Sequence, residues 1–90
     1  MVATLKELVG KRIKIVRKRC NLTQEKLAEL IDIGTRQISR LECGGNFPSH
    51  QTFEKLSKVL NVETMEFFNF EDMDIAETQL EKPKMPAISG

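Results

Sequence analysis

Residues 22–43 read Leu22-Thr23-Gln24-Glu25-Lys26-Leu27-Ala28-Glu29-Leu30-Ile31-Asp32-Ile33-Gly34-Thr35-Arg36-Gln37-Ile38-Ser39-Arg40-Leu41-Glu42-Cys43, and this stretch decides the fold. Leu27, Ala28 and Ile31 fall on one side of a short helix. Thr23 stands where its hydroxyl can cap that helix, and Glu25 in the first turn suits the positive end of the helix dipole. Lys26 occupies the place where a capping box needs Glu, so that box is incomplete. Asp32-Ile33-Gly34 predicts a tight turn. Beyond it a second short helix, Thr35 to about Cys43, turns Ile38 and Leu41 inward and Arg36, Gln37, Ser39 and Arg40 outward. That outer face carries cationic and hydrogen-bonding side chains and no acid before Glu42, as a helix laid against base edges and phosphates requires.

Both flanks extend the helical reading. From Leu5 to Cys20, the residues Leu5, Leu8, Val9, Ile13 and Val16 form one apolar stripe, with Lys11, Arg12, Lys14, Arg17, Lys18 and Arg19 mostly off it. Asn21-Leu22 breaks this helix. On the other side Gly44-Gly45-Asn46-Phe47-Pro48 is a loop by composition, with Gly44 as the glycine stop of the preceding helix. Ser49 caps a fourth helix that buries Phe53, Leu56, Val59 and Leu60. Val62 returns to the core, and a fifth helix near Glu63 or Thr64 buries Phe67 and Phe68. The expected fold is therefore all-α, five helices in one domain over residues 1–70. From Glu71 onward apolar residues thin out and Pro83 and Pro86 appear, which predicts an acidic, flexible tail over 71–90.

A chain of 90 residues has no room for two lobes around a deep cleft. At 40% hydrophobic and 30% charged it can fill a modest core and stay in water. No apolar run approaches the ~18–20 residues that cross a bilayer, and no secretory leader is visible, so no membrane partner is expected. The net charge of +1 conceals a division. Residues 1–62 carry 12 Lys/Arg against 6 Asp/Glu, whereas residues 63–90 carry 2 against 7. A basic body points to a polyanionic partner, although the same cations would also suit a solvated helix face. Cys20, read as a small buried apolar residue, and Cys43, a thiol at a helix end, are too few for a disulfide scaffold. His50 has no Cys, His or acid at ligand spacing, so neither a metal nor another cofactor is expected. The single histidine leaves no Ser/His/acid set, and no glycine loop could cradle a phosphate, so no enzyme is expected either.

Leu22 to Ala28, followed by Ile33 to Glu42, resembles the phage-repressor and Cro type of helix-turn-helix, the XRE family. The resemblance runs on through Gly44, Pro48-Ser49, Thr52, Leu56, Leu60 and Val62 to Phe67-Phe68 without insertion, and covers roughly residues 9–68. It implies a cytoplasmic DNA-binding protein of a prokaryote or phage, acting as a homodimer on a short inverted repeat of double-stranded DNA. Carried over position by position, it implies that Thr35, Arg36, Ser39 and Arg40, with Gln37 beside them, face the major groove. It also implies that Gln24 grips a phosphate and braces the recognition helix, and that Arg17 and Glu42 form a structural ion pair.

Three positions depart from the family pattern. Asp32 stands where the turn usually has Gly, Gly34 replaces the usual capping Ser, and Gly45-Asn46-Phe47 replaces residues that are often basic, which lowers the expected affinity. The reading is a sequence-specific regulator of transcription, a repressor acting by occupancy of its operator. The alternatives are an antitoxin-like protein whose tail binds a protein partner, a restriction-modification controller, and a protein-interaction module that does not bind DNA. Leu30 and Phe70 have no place in the expected core and are candidates for a partner surface.

Overall fold

Thr4 opens the first helix. Its hydroxyl accepts from the Glu7 backbone N–H at 3.2 Å, and the Glu7 carboxylate accepts from the Thr4 N–H at 3.0 Å, so two otherwise orphaned donors are satisfied reciprocally. Helix α1 then runs Leu5–Arg19, followed by α2 (Gln24–Ile31), α3 (Thr35–Glu42), α4 (His50–Leu60) and a 3₁₀ helix, η1 (Thr64–Phe68). These elements come from a computed structural model of the chain that describes residues 3–70; the tail expected over 71–90 lies outside them. The described part is all-α. Its fifth helix is 3₁₀ rather than α: Glu66 N–H donates to Glu63 O at 2.9 Å and Asn69 N–H to Glu66 O at 3.2 Å, the three-residue bonding that suits a five-residue piece.

Short polar side chains close the turns. Asp32 ends α2 at φ 61° and ψ 49°, and Asn21 and Asn61 sit in the same left-handed region after α1 and α4. Asn and Asp tolerate that conformation better than other side chains, so Asp32 does here what Gly would do. Thr23 and Ser49 cap α2 and α4 by accepting from Lys26 N–H at 3.0 Å and Thr52 N–H at 3.2 Å. Gly34 holds the extended cap position of α3 with no side-chain bond.

The core gathers Val9, Ile13 and Val16 of α1, Leu27 and Ile31 of α2, Ile38 of α3, Leu56 and Leu60 of α4, and Phe67 of η1, all nearly inaccessible. Burying each such side chain contributes ~1.5–3 kcal/mol. Helix α3 packs against both α1 and α2, α4 packs against α2, and η1 closes over α1 and α4. Gly10 allows the α1–α3 approach. A Cβ there would overlap the Leu41 carbonyl oxygen and lie 2.9 Å from that of Glu42.

Several residues sit differently from their sequence reading. Leu5, expected on the buried stripe, is 51% exposed because it lies in the first turn of α1, ahead of the crossing at Gly10. Phe68, expected in the core, is 41% exposed: its ring covers Phe53 (centroids 5.5 Å apart) from outside while Phe67 takes the interior. Val59 is half-buried, packed on the core rather than within it. Cys20 is exposed, its thiol 3.7 Å from Leu60 O. Phe70 packs against the core, which leaves Leu30, 47% exposed, as the remaining member of the expected partner surface.

Candidate nucleic-acid interface

Helix α3 is held from beneath by one buried carboxylate. Glu42, the last residue of α3, accepts from Arg17 Nε at 2.6 Å and Arg17 Nη2 at 3.1 Å. Its Oε1 also accepts from Gln24 Nε2 at 2.9 Å, and Arg17 Nη1 donates to Leu22 O at 2.6 Å. Both charged side chains are buried, Glu42 to 2% and Arg17 to 7% exposure. A buried ion pair is tolerable when its remaining hydrogen-bonding capacity is satisfied, and the Gln24 and Leu22 contacts do that. Residues from α1, the start of α2 and the end of α3 are thereby fixed to one another. The Gln24 amide is turned toward this network, so the bracing half of its expected role is occupied, with one amide N–H left for a phosphate.

With that underside anchored, the outer face of α3 is presented to solvent. Arg36, Gln37 and Arg40 are exposed, while Thr35 and Ser39 are half-buried beside them. Arg36 and Arg40 lie one turn apart, and neither has an acidic partner among the described residues. All five expected contact residues therefore share one accessible face, and Gln24 stands at the neighbouring helix start. A surface cleft of about 290 Å³ adjoins it, with Gln37, Asn46, Ser49 and Thr52 at its polar side. His50 is exposed and, contrary to the reading that gave it no acid at ligand spacing, lies 3.1 Å from the Glu54 carboxylate, because four residues on a helix bring side chains one turn apart together. Among the described residues no cluster of His, Cys, Asp and Glu could hold a metal, and no helix is long and apolar enough to cross a membrane.

Sequence reasoning missed two features around this site. Arg12, counted among the surface cations, is 2% exposed and pairs with the Glu66 carboxylate, its Nε also donating to Glu66 O at 3.2 Å. The signal was its spacing: Arg12 is three residues from Val9 and four from Leu8 and Val16, at the edge of the apolar stripe. Gly10 was the second omission. A glycine inside a helix costs ~1 kcal/mol against Ala, so its presence at mid-helix asks for a packing reason.

Comparison with known proteins places this geometry. The helix-turn-helix family model matches residues 13–67, more than half of the chain. The chain belongs to this family. It is 38% identical over 56 residues to the transcriptional regulator ImmR of Bacillus subtilis, covering 62% of this chain but only 44% of ImmR. The chain thus spans less than half the length of that relative. Among solved structures, the restriction-modification controller protein C.AhdI from Aeromonas hydrophila superposes with a TM-score of 0.66 at 29% identity, over 69% of this chain and 94% of that one. SinR, a master regulator for biofilm formation solved in complex with DNA, superposes with a TM-score of 0.64 at 32% identity, over 68% and 98%. This family is one of regulators rather than an enzyme class.

Proposed function

We propose that the chain is a sequence-specific DNA-binding regulator of transcription, and that α3 enters the major groove of an inverted-repeat operator as part of a homodimer. The observation that carries this reading is the outward face of α3, where Thr35, Arg36, Gln37, Ser39 and Arg40 stand together without an acid and on a helix locked in place by Arg17, Gln24 and Glu42. The guanidinium of Arg36, near the start of α3, can grip the two acceptors of a guanine. Thr35 and Ser39 suit a methyl contact or a single hydrogen bond, and Arg40 reaches a base or a phosphate. In a dimer the two α3 helices lie about one DNA turn, roughly 34–36 Å, apart. Bound so, the protein acts as a repressor by occupying the operator and excluding polymerase. SinR, solved in complex with DNA, supports the assignment of a DNA partner.

The test is a binding titration of wild type and Arg36→Ala on the protein's own upstream region and on singly substituted duplexes at two salt concentrations. Arg36→Ala should lose ~1–3 kcal/mol on the cognate site and relax preference at one base pair. An equal loss on every duplex would make Arg36 a phosphate clamp, and a flat salt response would favour a protein-interaction module instead. Sedimentation showing a monomer both alone and on a palindromic duplex would remove the dimer. The likeness to C.AhdI over 94% of its length favours a second reading, a restriction-modification controller. Raised output in transcription in vitro would favour the controller, whereas lowered output fits both readings, because a controller could activate as well as repress; the genes beside its own then separate the two.

A further inference from the structure

We propose that residues 71–81 dock in cis along α1, on a strip formed by Leu8, Lys11, Lys14, Ile15 and Lys18. Lys11, Lys14 and Lys18 follow one another at three- and four-residue steps, so they share a face of α1, and all three are exposed. None pairs with an acid among the described residues. Leu8 and Ile15, seven residues apart on the adjoining edge of the helix, are half-buried. The strip is thus amphipathic: two partly covered apolar side chains beside three unpartnered ammonium groups.

The end of the described chain points to its occupant. The last element, η1, packs against α1, and its Glu66 pairs with Arg12 and lies 3.8 Å from Arg19 of the same helix. Phe70 is still packed on the core. The chain therefore leaves the domain beside α1, already exchanging acid for base with it. The next eleven residues carry Glu71, Asp72, Asp74, Glu77 and Glu81 with no Lys or Arg, and Met73, Ile75 and Leu80 supply apolar groups. Eleven extended residues reach at most roughly 36–40 Å, against ~15 Å from Leu8 to Lys18 along the helix. Single exposed ion pairs are weak, but tethering sets a local concentration on the order of millimolar, and several weak pairs plus two apolar contacts then suffice. Docked there, the segment neutralises cations that would otherwise attract any polyanion without regard to sequence. Non-specific nucleic-acid binding falls while the face of α3 stays open.

The inference does not depend on DNA binding, and its test contains none. Backbone order parameters and methyl NOEs are measured on the full 90-residue chain. The two salt conditions are about 0.01 M and about 1 M, where the Debye length is about 30 Å and about 3 Å. At low salt the amides of 71–81 should have order parameters above ~0.6, the level below which backbone is flexible. NOEs should join Ile75 or Met73 to Leu8 or Ile15. Both signatures should disappear at high salt, in the variant Lys11→Glu/Lys14→Glu/Lys18→Glu, and in Glu71→Gln/Asp72→Asn/Asp74→Asn, with amide shifts of α2 to α4 unchanged as the check on folding. Flexible amides at low salt, or ordering that survives the lysine reversals, would overturn the proposal. Ordering lost on roughly tenfold dilution would also overturn it, making a second copy's segment the occupant.

Discussion

Replacing Glu42 with Ala tests the framework that holds α3. The substitution removes one carboxylate and leaves three donors facing the space it filled: Arg17 Nε, Arg17 Nη2 and Gln24 Nε2. Gln24 is half-buried and can turn its amide to water, which limits its share of the cost. Arg17 cannot, because its side chain is 7% exposed and its only other acceptor among these bonds is Leu22 O. Leaving a guanidinium buried with one neutral acceptor costs ~3–5 kcal/mol. Small domains have only ~5–15 kcal/mol in total, so the variant should be close to unfolding. In a domain of this size each kcal/mol shifts Tm by ~4–8 °C, and a drop of well over ten degrees follows. The assay is thermal and urea melting followed by circular dichroism, with Glu42→Gln as the intermediate case. Gln keeps an acceptor for Arg17 but lacks the charge, so it should lose less than Ala. A double replacement of Arg17 and Glu42 by apolar residues should recover much of the loss, because an apolar pair leaves no stranded charge. A melting temperature unchanged in Glu42→Ala would show that the pair does not carry the energy argued here.

Other perturbations follow from the same geometry. Gly10→Ala should destabilise by ~1–3 kcal/mol in a urea melt despite Ala being the better helix former, because its methyl would run into the carbonyls that end α3; a gain in stability would refute the close approach. Gly34→Ser should do the opposite: the cap position is extended, nothing lies within 4 Å of the new Cβ, and a hydroxyl would supply the missing cap. The gain is a few tenths to ~1 kcal/mol, read as a rise in Tm, and any fall would show that the glycine is needed for another reason. Gln24→Ala should lower Tm slightly through the lost bond to Glu42 and, where its main part is to grip a phosphate, weaken binding about equally on all duplexes; a change in base preference would contradict that part and point to its bracing of α3 instead.

The helices were legible wherever a single periodicity controlled them. Thr23, Ser49, Gly44 and the inward pairs Leu27–Ile31 and Ile38–Leu41 depend on neighbours within one helix or its cap, and local spacing describes such neighbours completely. Asp32 was readable for the same reason, since the left-handed tolerance of Asp is a property of the residue itself. Leu5 and Phe68 were misjudged because burial depends on what lies opposite. A stripe on a helix says which side is apolar but not how far along the helix the partner extends, and two successive phenylalanines cannot both point inward from one short 3₁₀ turn.

The face of α3 was legible as a set of side chains, but the reason it can act as a rigid surface was not. Its support comes from contacts between residues far apart in the chain: Arg17 with Glu42, Gln24 with Glu42, Gly10 with the last carbonyls of α3. Periodicity is silent about such pairs, and only the family resemblance suggested the first of them. The cations illustrate the consequence for function. Counted along the sequence, Arg12, Arg17, Arg36 and Arg40 are equal contributors to a basic body; in the fold, two are neutralised inside it and two project from α3. Charge that can meet a phosphate is therefore less than the composition suggests, and on the outer face of α3 it comes from Arg36 and Arg40 alone. That favours a protein whose affinity depends on where Arg36 and Arg40 are placed over one whose affinity depends on total charge. Hence the stability of the Arg17–Glu42 framework and the base preference at Arg36 should be coupled: a variant that loosens α3 without unfolding it, such as Glu42→Gln, should lose discrimination between cognate and substituted duplexes before it loses non-specific binding. Equal losses of both would mean that the placement of α3 does not limit recognition.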